Sequence, residues 1–98
     1  MNILTRCYSK DADLVTRCVA GETIIVPIKN KVGDLDSIYT LNEVGTLIWE
    51  LIDGKNNVSK IVKAVHSAYE VTHEETEKDT IEFLNLLVAA RLIRLSNE

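Results

Sequence analysis

The side chains able to do nucleophilic, acid–base or metal chemistry are few: Cys7, Cys18, His66, His73 and an acidic run of Glu70, Glu74, Glu75, Glu77, Asp79 and Glu82. A structural zinc site draws on closely spaced ligand pairs, and neither Cys-x-x-Cys nor His-Glu-x-x-His occurs. There is no Gly-x-Ser-x-Gly turn and no phosphate-cradling glycine loop. No cysteine adjoins a histidine in sequence to pair a nucleophile with its base. With four glycines in all, little material exists for a loop that closes over a substrate. These residues point to no catalytic site, no metal and no cofactor, so the expected role is binding rather than catalysis. The acidic run has two readings, a plain solvated face or an attractor for a basic ligand. Glu70, Glu74 and Glu75 cluster where a helix should begin, and the helix dipole is reason enough for them. Asp79 and Glu82 lie further along and are the better binding candidates.

Length and composition narrow the field. Ninety-eight residues with 46% hydrophobic and 27% charged side chains describe one ordinary globular domain. A net charge of −4 and a pI near 5.1 argue against a general nucleic-acid binder. No run approaches 18 apolar residues, and no basic region followed by an apolar stretch opens the chain. A cytoplasmic protein is therefore expected, with both cysteines as free thiols.

The elements that must position any site can be read from periodicity. Residues 1–13 are polar and mixed, expected as a flexible N-terminal arm; residues 14–95 form the folded domain. From Leu14, Val15, Arg17 and Val19 alternate with Thr16 and Cys18 as a first strand, and Gly21-Glu22 offers a turn of the Gly-X kind. Residues 23–28 make a second strand, with Pro27 expected at an edge or near the strand's end. A polar connection over residues 30–36 leads to a third strand, residues 38–41. The second half is helical. Val44, Leu47, Ile48, Leu51 and Ile52 share one helical face, capped by Asn42 and followed by Gly54. Asn57 caps a second helix with Val58, Ile61, Val62, Val65 and Tyr69 as its stripe. Thr72 and Glu75 form a capping box for a third, residues 74–90, whose core positions are Thr80, Phe83, Leu84 and Leu87. Residues 92–95 are apolar enough to pack back or form a short strand.

The ordered set Ile38-Tyr39-Thr40-Leu41-Asn42, Gly45, Ile48-Trp49, Leu51 and Asp53-Gly54 resembles the PqqD family (PQQ-synthesis protein D). These peptide-binding domains are also called RiPP recognition elements. Val58 and Ile61-Val62 continue the match, as do Glu75, Asp79, Phe83-Leu84, Leu87 and Leu92-Ile93, so the resemblance spans residues 15–93. One departure stands out: members usually carry glycine before the last Leu-Ile pair, where this chain has Arg91. The resemblance implies an α+β, winged helix-turn-helix-like fold, a small three-stranded antiparallel sheet followed by a three-helix bundle. It also implies a peptide chaperone that binds the leader segment of a ribosomally made precursor. The domain would present that leader to a maturation enzyme, often a radical SAM enzyme, in pyrroloquinoline quinone or related biosynthesis. The leader would lie as an added strand beside the third strand, in a groove bounded by the third helix.

On that reading Ser37, Ile38, Tyr39, Thr40 and Leu41 supply the backbone edge, and side-chain pockets beside it supply selectivity. A helical wheel puts Asp79, Glu82, Leu86 and Ala90 on the groove side, with Phe83 at the boundary. Leu86 has no evident core duty, and with Asp79 and Glu82 it would form a half-apolar, acidic wall. Such a wall suits a leader that combines aliphatic anchors with Lys or Arg. Trp49 is read as a packing residue rather than a partner's anchor. Tyr39 stands open between covering the sheet and touching a ligand. The alternative function is a winged-helix DNA-binding regulator, disfavoured because its third helix offers Lys78 against at least four acids. A structural partner domain, monomeric or weakly dimeric through its open edge, is the third.

Overall fold

The computed structural model describes residues 3–28, 38–69 and 72–96. The expected connection over residues 30–36, along with Ser37 and Glu70, lies outside them. In chain order the elements are a short 3-10 turn (Ile3–Thr5), β1 (Tyr8–Lys10), β2 (Leu14–Val19), β3 (Glu22–Pro27) and β4 (Tyr39–Leu41). Then come α1 (Glu43–Leu51), α2 (Val58–Ala68), α3 (His73–Ala89) and β5 (Ile93–Leu95). The architecture is α+β: a three-stranded antiparallel sheet in the order β2-β3-β4, followed by the helices.

The sheet is built by alternation. Register pairs Thr16 with Ile25, Cys18 with Thr23, and Ile25 with Tyr39 on one face. On that inner face Thr23, Ile25 and Leu41 are buried. The β2–β3 turn consists of Ala20 and Gly21, both with positive φ (54° and 83°). That is the type I′ pattern, whose twist matches the strands. The expected Gly-X turn is thus shifted back by one residue, and Ala20 takes a left-handed conformation that costs it more than a glycine. Pro27 ends β3, beyond the reach of β4, so its missing N–H leaves no gap in the ladder.

Each helix starts where a polar side chain satisfies a free amide. Asn42 Oδ1 accepts from Gly45 N at 2.9 Å, Asn57 Oδ1 from Lys60 N at 2.9 Å, and Thr72 Oγ1 from Glu75 N at 3.2 Å. The core joins Ile48, Ile52, Val58, Ile61, Val62, Leu84, Leu87 and Leu92 to Ile25 of the sheet. In α1 the buried arc is broader than the expected stripe. Gly45, Thr46 and Trp49 are buried with Ile48, while Val44, Leu47 and Leu51 are half-buried. The reason is position: α1 packs against the sheet on one side and α2 on the other. Trp49, only 4% exposed, is a packing residue, with Lys10 Nζ 4.9 Å from its ring centroid. Burial of the Lys10 stem against it lowers that ammonium's pKa, partly offset by Glu50 and Asp53.

The N-terminal segment differs from the loose arm expected for residues 1–13. Within it, β1 pairs antiparallel with β5, Tyr8 opposite Leu95 and Lys10 opposite Ile93. Its other side is held as well. Gly54 N donates to Tyr8 O at 2.8 Å and Val58 N to Arg6 O at 2.9 Å. Gly54 adopts φ 82°, and a β-carbon there would stand 3.1 Å from Ser9 Oγ, so the turn between α1 and α2 needs glycine on both counts. A segment without hydrophobic periodicity is thus sewn in by backbone bonds that no local pattern announces.

The exit from α3 explains how the chain manages without glycine at residue 91. Arg91 N donates to Val88 O at 2.9 Å and Leu92 N to Leu87 O at 3.0 Å, the two bonds of a Schellman cap. The residue between them must be left-handed, and Arg91 takes φ 65°. Burial of Leu92 beside Leu87 offsets that conformational cost.

Candidate functional site

β4 is an edge strand. It pairs with β3 on one side, and among the described residues no strand pairs with its other side. The N-terminal segment, the obvious candidate to cover it, goes to β5 instead. Among the described residues, the outward-facing donors and acceptors of β4 thus have no strand partner, the condition for strand addition at a sheet edge.

Next to that edge lies a cleft of about 430 Å³. One wall is the end of β4 and start of α1: Thr40, Leu41, Asn42, Val44, Gly45 and Ile48. The opposite wall is the first half of α3, Thr76, Asp79, Thr80 and Phe83, and the end of α2 closes it with Val65 and Tyr69. Most of these groups are apolar or small, and Asp79 is the one ionisable group with a carboxylate among them. Helical spacing places Thr76, Asp79, Thr80 and Phe83 along one side of α3. Thr76, one of the lining residues, has its hydroxyl satisfied locally: Oγ1 donates to Thr72 O at 2.9 Å.

Beneath the cleft a buried hydroxyl pair ties its wall to the sheet. Thr23 Oγ1 of β3 lies 2.8 Å from Thr46 Oγ1 of α1, and Thr46 Oγ1 is 3.5 Å from Leu41 O. Three elements thus meet on one relay, which holds the end of β4 in place relative to α1.

Of the residues expected from sequence to hold a peptide, Thr40, Leu41, Asp79 and Phe83 come together around the cleft. Tyr39 lies half-buried in β4, paired with Ile25 on the inner face, and Ile38 stands exposed just before the strand. Glu82 and Leu86 are exposed on α3 and Ala90 caps it, and none of the three lines the cleft. Leu86, at 67% exposure, has no core role. Ser37 is outside the described residues. Sequence reasoning missed Asn42, Val44, Gly45, Ile48, Val65, Tyr69, Thr76 and Thr80 as lining. One signal was present: a glycine inside a helical pattern asks for a close-packing reason, and Gly45 has one. Five of the others, Val44, Ile48, Val65, Tyr69 and Thr80, had been assigned wholly to the core, since a cleft wall and a core stripe look alike in one helix.

The remaining chemistry-bearing groups do not converge. His66 and His73 meet edge-to-face at 5.4 Å between centroids, and Cys7 and Cys18 are separate free thiols. Among the described residues no cluster of three or more His, Cys, Asp or Glu side chains is arranged to hold a metal ion. No helix among them is long and apolar enough to cross a membrane.

An open strand edge beside a helix-walled apolar cleft defines a small α+β module of the winged helix-turn-helix type, with strand and helix meeting at one surface. The family described as "Coenzyme PQQ synthesis protein D (PqqD)" matches residues 22–93, and the chain belongs to that family. Its fold is similar to that of a solved structure described as TbiB1 in complex with the TbiA(beta) leader peptide. The TM-score is 0.76 at 22% identity, over 88% of this chain and 94% of that one. No curated protein matches the chain.

Proposed function

We propose that the protein is a cytoplasmic adaptor that binds the leader segment of a ribosomally made precursor peptide and presents it to a modifying enzyme, such as a radical SAM enzyme. The observation that carries this reading is the juxtaposition of the unpaired β4 edge with the cleft under α3. Family membership supports it, and so does the likeness to a protein whose structure holds a leader peptide.

The leader adds as a strand along residues 37–41, its backbone satisfying the edge without regard to sequence. Every second side chain then points toward the helices. An aliphatic or aromatic anchor enters the cleft between Val44, Ile48 and Phe83, and selectivity comes from its shape. Asp79 at the wall receives a Lys or Arg of the leader, and Glu82, Leu86 and Ala90 extend the same side of α3 toward its end. Catalysis is left to the enzyme partner.

A DNA-binding role finds no support in the charge of α3, whose exposed residues include Glu74, Glu75, Asp79 and Glu82.

The test is titration of the isotopically labelled protein with leader peptides from short reading frames beside its gene. Amide shifts should concentrate on residues 38–41 and on α3 from Asp79 to Ala90. Tight binding that leaves both segments unmoved would reject the groove.

A further inference from the structure

A second cleft, of about 350 Å³, lies where the end of α3 meets β5. Val88 and Arg91 line it from the helix end, Ile93, Arg94 and Leu95 from the strand, and Asp11 from the segment after β1. It shares no residue with the cleft beside β4. Helical spacing puts Val88 on the opposite side of α3 from Asp79 and Phe83. The two clefts are therefore separate sites on one helix.

Conformation, charge and backbone polarity together identify what this second cleft takes. Arg91 holds φ 65° in a cap whose bonds are made by backbone alone, where glycine would cost less. A charged side chain at a strained position calls for a reason outside the cap itself. Arg91 and Arg94 are both exposed on the one cleft, and neither has an ion-pair partner among the described residues. Asp11 is the one carboxylate on the lining, and its Oδ1 accepts from Asp13 N at 3.2 Å. Two cations against one carboxylate leave the lining net positive, in a chain whose net charge is −4. Planar guanidinium groups bind carboxylates through paired N–H donors. The backbone supplies the rest. Ser96 N donates to Cys7 O and Asp11 N to Leu92 O, which fixes the bonded pairs of the β1–β5 ladder. Leu95, between two such positions, turns its N–H and C=O away from β1, and among the described residues no strand pairs with that side. Leu95 and Val88 are 46% and 39% exposed, so aliphatic surface adjoins the free edge. Aliphatic lining and a free strand edge suit a peptide, whereas the chain's net negative charge opposes a nucleic acid.

We propose that the cleft between α3 and β5 binds an extended acidic peptide segment. Its backbone pairs with Leu95, its carboxylates are taken by Arg91 and Arg94, and its aliphatic side chains lie against Val88 and Leu95. The site uses no residue of the β4 cleft, so it stands or falls apart from the leader-binding reading. It also has the opposite charge preference, since the ionisable group of the β4 cleft is Asp79.

The test is titration of the isotopically labelled full-length protein with a short capped peptide of alternating valine and glutamate. Its counterpart with glutamine in place of glutamate is the control. The glutamate peptide should shift the amides of Val88, Arg91 and residues 93–95, and the glutamine peptide should bind about tenfold more weakly or less. Arg91→Gly and Arg94→Gln should each weaken the glutamate peptide about tenfold. Neither variant endangers the fold, because glycine suits the cap and Arg94 is exposed. Equal binding of the two peptides, or unchanged affinity in both variants, overturns the proposal. So does a glutamate peptide that binds nowhere, or one whose shifts fall on residues 39–41 and Asp79 instead. Displacement of the peptide by a short RNA duplex at lower concentration would give the arginines to nucleic acid and overturn it too.

Discussion

Phe83 of α3 reaches across the cleft to Gly45 in the first turn of α1. Its Cζ lies 3.2 Å from where a β-carbon on Gly45 would stand, and Leu41 Cβ lies equally near. The helix carrying the proposed acidic wall and the strand offering the edge therefore meet over a single missing side chain.

That contact makes Gly45→Ala informative. Alanine favours the helix by about 1 kcal/mol over glycine. The tight approach works against it, because Phe83 or Leu41 must give by a few tenths of an ångström. The two effects roughly cancel, and chemical denaturation should show a stability change of about 1 kcal/mol or less. Leader affinity should nevertheless fall, because the displaced Phe83 ring narrows the cleft. An unaltered affinity would remove Phe83 from the binding surface.

Arg91→Gly should stabilise the domain. Arg91 holds φ 65° at the position of the α3 cap that glycine occupies at least cost. Relief of the left-handed strain is worth about 1 kcal/mol, read as a rise in thermal midpoint of roughly 4–8 °C for a domain this size. Arg91→Val, β-branched in the same conformation, should move the midpoint the other way.

Leu84 and Leu86 give a matched pair on α3. Leu84 is 0% exposed and Leu86 67%. Leu84→Asp buries an unpaired carboxylate and should leave the chain unfolded by circular dichroism. Leu86→Asp should change stability by about 0.5 kcal/mol or less and weaken leader binding if that side of α3 takes part. Full leader affinity in Leu86→Asp would confine the site to the cleft.

The Thr23–Thr46 relay can be tested by a double-mutant cycle. Thr23→Val and Thr46→Val each leave a buried hydroxyl short of a partner, at about 1–3 kcal/mol apiece. Converting both to valine removes the relay together and should cost less than the two single changes combined. Additive losses would mean that the 2.8 Å contact contributes nothing of its own.

Acid stability should depend in part on Asp53. Its carboxylate accepts from Asn56 N and Lys55 N, each at 2.9 Å, and these bonds hold its pKa below the usual 3.8. A carboxyl whose folded pKa is depressed favours folding above its unfolded pKa, and that contribution fades as pH falls through the folded value. Asp53→Asn should therefore flatten the fall in urea midpoint below about pH 4 and barely change its shape between pH 6 and 8. An identical acid limb in both proteins would assign the loss to other carboxylates.

The sequence by itself determined what is governed by near neighbours. The caps at Asn42, Asn57 and Thr72 are bonds spanning three residues, so the helix starts were legible from residue type and spacing alone. The alternation of β2 and β3 placed those strands, with the turn misjudged by one residue. Leu86 as a leucine without core duty followed from the helical wheel.

Only the tertiary structure decided the rest. β1 was illegible because, apart from the single buried side chain of Tyr8, its three residues are held by backbone bonds to β5 at the far end of the chain and to the turn before α2. Such bonds impose no side-chain pattern. The cleft draws its lining from β4, α1, α2 and α3, and its volume depends on how they cross, which no single periodicity encodes. Arg91 had the wrong residue type for its conformation, and burial of Leu92 against Leu87 carried it there. That β4 stands unpaired on its outer side among the described residues was likewise a tertiary outcome, since the N-terminal segment pairs with β5 rather than with β4.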